Sequence, residues 1–191
     1  MGPADLPFLA GYPEPLLHQV RQQIGLGRLG SYLAQRYCAP HAIRTDGALY
    51  DHANGLKQRH LRNAPPLAKV AFDNRLQIDH RALGTLTSVS RVQGGRLAAK
   101  RELRVAALFK NAPAAMLDMI VVHELAHLKE REHNKPFYAL CQHMLPGYPQ
   151  IEFDTRLYLT WLAVQRAADK PGPTDAAPCL APSPARGTGL G

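Results

Sequence analysis

His123, Glu124 and His127 stand at H-E-x-x-H spacing inside the run Val121 to Asn134, and a third histidine, His133, follows ten residues after the first. On an α-helix, residues four apart share a face, so His123 and His127 can present two imidazoles to one metal ion. Glu124 sits beside the pair, where a carboxylate can polarise a metal-bound water. A continuing helix would carry His133 away, because ten residues span about 2.8 turns and about 15 Å. The chain must therefore leave the helix near Lys129 to Glu132 and turn back. Three imidazoles and one open position are the arrangement of a catalytic zinc rather than a closed structural one. No glycine lies between His127 and His133 to make that turn, so Glu152, farther along, stays open as a rival third ligand.

The surrounding elements favour that geometry. Met116 to Val122 is apolar apart from Asp118, and Leu125, Ala126 and Leu128 continue the apolar setting through the motif. The motif thus belongs on a buried helix, where an unpaired His or Glu would be costly. Pro113 is placed to open this helix, and Asn134-Lys135-Pro136 reads as the start of the next, with Asn134 as N-cap. Upstream, residues Pro15 to Arg36 read as helix broken between Leu26 and Gly30. A second helix runs from Gly47 to about Arg62, capped by Asp46, with Leu49, Tyr50, Ala53, Leu56 and Leu61 inward. The middle changes to period two. Ala68 to Phe72 and Leu76 to Asp79 flank a turn at Asp73-Asn74, and Thr85 to Gln93 and Arg96 to Phe109 flank Gly94-Gly95. A largely antiparallel sheet of three or four strands follows. Phe137, Leu140, Cys141 and Met144 mark a short amphipathic helix. Pro146 to Pro149 marks a turn, and Glu152 to Ala168 a final helix. Residues 170–191 are rich in Pro, Gly and Ala, unable to supply a core, and read as a disordered tail.

With 191 residues, 46% of them hydrophobic, the chain can bury a core as one domain over residues 1–169. No signal peptide and no membrane-spanning run are visible. The cysteines Cys38, Cys141 and Cys179 share no metal-ligand spacing, which suits a reduced, cytoplasmic protein. His18, His41, His52 and His60 read as helix-face or surface residues.

The sequence also resembles the YgjP-type metallopeptidases, relatives of the SprT-like zinc proteases, from about Tyr12 to Trp161. The similarity rests on Leu49-Tyr50-Asp51, Leu61 to Ala64, Ser90 to Gly95, Lys100 to Ala106, Val121 to Phe137 and Glu152 to Tyr158. The resemblance implies an α+β, minimal zincin fold, with a small sheet packed against the metal helix. It implies Zn²⁺ on His123, His127 and His133, and Glu124 as catalytic acid/base. Peptide hydrolysis would then use a zinc-activated water, with Glu124 passing its proton to the leaving amine. Tyr158, Arg156, Tyr148 and His143 are candidates for stabilising the oxyanion. Glu152 and Asp154 are candidates for orienting a ligand histidine. Arg104 to Lys110 is the expected wall of a peptide-binding groove, by strand addition.

Two other readings compete with a plain peptidase. Net charge is +8, and Arg91, Arg96, Lys100, Arg101, Arg104 and Lys110 crowd the sheet region. Such a stripe could attract nucleic acid through phosphate contacts, which would make the chain a DNA-associated, SprT-like protease. A non-catalytic zinc-binding interaction protein is the remaining reading, although the glutamate of the motif is needed only for chemistry.

Overall fold

The computed structural model describes residues 6–76, 84–93 and 96–168. Among them are six α-helices and a three-stranded mixed sheet, an α+β arrangement consistent with a minimal zincin-like fold. α1 (Glu14–Gly25) and α2 (Leu29–Arg36) are separated by Gly27, whose φ of +66° favours glycine. α3 (Asp46–His60) buries Leu49 and Ala53, and Leu61 just beyond its end is also buried. Its cap differs from the expected one. Thr45 Oγ1 accepts the Ala48 N–H at 3.2 Å, while Asp46 Oδ1 accepts the Phe72 N–H at 2.9 Å and ties the helix to the sheet.

β1 (Leu67–Asp73) pairs parallel with β3 (Arg96–Ala106), and β2 (Gly84–Gln93) pairs antiparallel with β3. The order β1-β3-β2 makes β3 central. The β2–β3 pairing from Gln93↔Arg96 to Gly84↔Val105 is the expected hairpin. Nearly all of Leu76 to Asp79, the expected neighbour of β1, lies outside the described residues; among those described, β1 pairs with β3. The long strand expected to reach Phe109 ends at Ala106, and Ala107–Asn111 forms a 3₁₀ turn. The proposed tail falls outside the described residues.

α4 (Ala114–Ala126) is the central core element. Met116, Leu117, Met119, Ile120, Val121, Val122, Leu125 and Ala126 are all buried. A helix apolar on every side must be enclosed, and α3, α5, α6 and β2 all pack on α4. α5 (Lys135–Met144) begins as expected, with Asn134 Oδ1 accepting the Phe137 N–H at 3.0 Å. α6 (Tyr148–Ala168) begins one turn before the expected Glu152. The chain is redirected before it by Gly147 at φ +81°. No described helix is long and apolar enough to cross a membrane.

Candidate active site

α4 stops at Ala126, directly before His127, which forms its C-cap. The chain then turns without glycine. Leu128 N–H bonds to Leu125 O, and both Lys129 N–H and Glu130 N–H bond to Ala126 O. No described non-glycine residue has positive φ, so the reversal uses ordinary right-handed backbone. It brings His133 back over the helix end, where His133 Nε2 lies 3.0 Å from His123 Nε2. One nitrogen from each of His123, His127 and His133 falls within 4.8 Å of the others.

These residues fit a metal ion. Zinc–nitrogen bonds of about 2.0–2.1 Å at tetrahedral angles place ligand nitrogens roughly 3.4 Å apart. The outer contacts leave the required atoms free. His127 Nδ1 lies 2.9 Å from Glu130 O. A carbonyl only accepts, so Nδ1 carries the proton and Nε2 keeps its lone pair. His123 Nδ1 meets the Tyr148 hydroxyl at 2.6 Å, again leaving Nε2 for a ligand. Burial pushes the His123 imidazole down to about 3, helped by His133, His127 and Arg156. Burial, followed by the nearby His127, also lowers His133. Neutral imidazoles are the form that binds a metal. Phe137, fully buried on α5, lies beneath all three rings at centroid distances of 5.0, 4.7 and 4.7 Å.

Glu124 is 4% exposed and faces the start of β2. Burial pushes its carboxyl up to about 8, opposed by a hydrogen bond from the Leu86 N–H. A cation beside it would favour the ionised form. Gly84 makes room for this side chain, since a Cβ there would lie 2.8 Å from both Glu124 Cγ and Oε1. The site opens into a cavity of about 630 Å³, one wall of which is Gly84 to Ser88 of β2. This corrects the expected groove wall. Among the described residues β3 has strands on both sides, and β2 is the edge strand that packs against α4.

The remaining sequence candidates separate. Glu152 and Arg156 line the cavity, joined by an Arg156 Nη2–Glu152 Oε1 hydrogen bond of 3.1 Å. Glu152 is not a member of the histidine cluster. Tyr148 is buried and held against His123, with burial raising its hydroxyl well above the usual range. It is not among the residues that line the cavity. Tyr158 stacks near Trp161 and lines a separate cavity of about 330 Å³. His143 packs edge-on to His60, with centroids 5.6 Å apart. Asp154 is fully buried among Tyr32, Tyr37, Arg36 and Gln150 and bonds to no histidine among the described residues. Tyr158, His143 and Asp154 are not among the residues that line the cavity beside the histidines.

Three cavity residues carry signals that the motif did not reveal. Gly84 begins a β-branched run with no mark of its contact to Glu124. Arg131 sits in the turn between His127 and His133. Arg101 belongs to the basic stripe but lines the cavity. That stripe is not a uniform surface. Arg104 pairs with Asp73 and Glu102, and Lys110 lies over the Phe72 ring at 5.1 Å.

Comparison with known proteins gives two findings. The YgjP-like, metallopeptidase domain family matches residues 89–155. A protein of Escherichia coli (strain K12) named UTP pyrophosphatase is 58% identical over 161 residues, covering 84% of this chain and 96% of its own length. No solved structure matches the chain. The relative's name overturns the expectation of peptide hydrolysis, together with its DNA-associated and non-catalytic variants. A complete H-E-x-x-H motif specifies a metal and a base but not the bond that the pair attacks.

Proposed function

The chain belongs to the YgjP-like family, and from that membership and the cavity geometry we propose that it is a metal-dependent hydrolase of nucleoside triphosphates. Its proposed substrate is UTP, which is split between the α and β phosphorus atoms to give UMP and pyrophosphate. The observation that carries this reading is a set of charges. Arg101, Arg131 and Arg156 line the same cavity as the three histidines and Glu124. An extended peptide does not need three guanidinium groups around its scissile bond. A polyphosphate does, because each phosphoryl oxygen is best held by charge-assisted, often bidentate, hydrogen bonds.

His123, His127 and His133 would hold the ion, and zinc suits three neutral imidazoles. When bound, such an ion lowers the pKa of a coordinated water and offsets negative charge on phosphoryl oxygens. The protein supplies the rest. Glu124, fixed by the Leu86 N–H and the gap at Gly84, accepts a proton as the water oxygen forms its bond to the α phosphorus. The bond from that phosphorus to the α,β-bridging oxygen breaks, and pyrophosphate leaves. Tyr148 holds the His123 ring, and Glu130 O holds the His127 ring, in the tautomers that the ion requires. Arg156, anchored on Glu152 and on Phe8 O at 3.3 Å, presents its charge without having to reorder.

The test is phosphorus NMR of UTP incubated with zinc-loaded protein, alongside Glu124→Gln. UMP and pyrophosphate should form with the wild type, and the variant should lose about 10²–10⁴-fold in rate while keeping one equivalent of zinc. Equal turnover in Glu124→Gln, or no turnover by fully zinc-loaded wild type, would refute the assignment.

A further inference from the structure

The arginines of the cavity differ from one another in a way that bears on substrate choice. Arg156 is neutralised in part by Glu152. Arg101 and Arg131 have no carboxylate partner among the described residues, whereas Arg21, Arg36 and Arg104 each do. The Nε atoms of Arg21, Arg101 and Arg156 are buried without a hydrogen-bond partner, and the last two belong to residues that line the cavity. Buried donors are normally satisfied, and a charged one left without an acceptor is unfavourable. Two such donors on residues lining one cavity point to an anion that completes them.

The three side chains also come from separate elements: Arg101 from β3, opposite Ser88 of β2, Arg131 from the turn between His127 and His133, and Arg156 from α6. They therefore reach the cavity lining from three separate parts of the fold. With the scissile α phosphate at the histidine cluster, a nucleoside triphosphate has two further phosphates to place, and two uncompensated guanidinium groups are present to receive them. A diphosphate would leave one of these cations without a partner.

Building on the hydrolase reading above, we propose that Arg101 and Arg131 bind the β and γ phosphates, select a triphosphate over a diphosphate, and hold the departing pyrophosphate. Inorganic tripolyphosphate and pyrophosphate then occupy the same subsite and compete with substrate. Both arginines touch substrate, so each is a binding residue that sets specificity.

The experiment measures tripolyphosphate binding calorimetrically to zinc-loaded Glu124→Gln protein, with zinc content checked after titration. The same background carries Arg101→Gln, Arg131→Gln or, as a control in the exposed turn after α3, Arg62→Gln. A parallel series without Glu124→Gln measures kcat/KM for UTP and UDP. Affinity should fall about tenfold or more in each clamp variant and stay unchanged in Arg62→Gln. The preference for UTP over UDP should shrink by a similar factor. Unchanged tripolyphosphate affinity with an unchanged UTP-to-UDP ratio in both clamp variants would overturn the proposal, even if UTP is hydrolysed. Clamp-dependent tripolyphosphate binding without any UTP turnover by the wild type would keep the clamp and refute the hydrolase. Arg131 lies in an exposed turn, so its variant reports on the clamp even if Arg101→Gln fails to fold.

Discussion

Gly84→Ala places one methyl group where the structure has no room for it. The new Cβ would sit 2.8 Å from Glu124 Cγ, 2.8 Å from Oε1 and 3.1 Å from Cδ, whereas ordinary contact begins at 3.4 Å. Glu124 or β2 must therefore yield by roughly 0.6 Å, the difference between 3.4 and 2.8 Å. The backbone at Gly84 does not have the positive φ that disfavours alanine, so the effect is one of contact alone. Glu124 cannot move freely, because the Leu86 N–H that holds its carboxylate belongs to the same strand as the intruding methyl. A displaced base is catalytically expensive, since a misplacement near 1 Å can cost about 10²-fold. Overpacking at a buried contact costs about 1–3 kcal/mol, and each kcal/mol lowers Tm by about 2–4 °C at this chain length. Gly84→Ala should therefore bind one equivalent of zinc, unfold several degrees lower, and hydrolyse UTP at least about tenfold more slowly, given that only part of a full 1 Å displacement is imposed. The assays are metal analysis, thermal unfolding and steady-state turnover. Wild-type kcat with an unchanged Tm would show that Glu124 is not held against β2, and the account of the catalytic carboxylate would fail.

Tyr148→Phe removes the hydroxyl at 2.6 Å from His123 Nδ1 while keeping the buried ring. Zinc affinity should fall about 10–100-fold, read by chelator competition, and an unchanged affinity would show that the hydroxyl does not orient the ligand. Asp154→Ala leaves Tyr32, Tyr37, Arg36 and Gln150 facing an empty buried position. With Arg36 half exposed and free to return to water, the cost is that of the buried donors left unsatisfied, about 1–3 kcal/mol of unfolding free energy, in denaturant titration with zinc stoichiometry intact. A loss below about 1 kcal/mol, the range of an exposed pair, would mean that the cluster does not brace α2 on α6.

Much of the fold follows from local chemistry. Asn134 caps α5 as its position before Lys135-Pro136 suggests, because an Asx side chain reaching the third residue on is a local interaction. The continuous apolar run of α4 demanded burial on all sides, and the structure encloses it. The cap of α3 was misplaced by one residue because Thr45 and Asp46 can both cap. A distant strand settled the choice by claiming Asp46 for Phe72 N–H. The parallel pairing of β1 with β3 carries no comparable local signal. Parallel partners are remote in sequence and leave no turn signature between them.

The sequence by itself determined the helix that carries the H-E-x-x-H motif, its buried setting and the family. The i, i+4 spacing of His123 and His127 and the apolar run are properties of one segment, readable without knowing what surrounds it. It did not determine the bond attacked, since the same motif serves any hydrolysis of an activated centre. Only the tertiary structure decided how the chain turns without glycine to return His133, that β2 supplies the cavity edge, and that Gly84 makes room for Glu124. It alone collected Arg101, Arg131 and Arg156 around the histidines. Those residues come from a strand, a turn and a helix up to 55 positions apart, and long-range packing, not local propensity, sets which side chains meet.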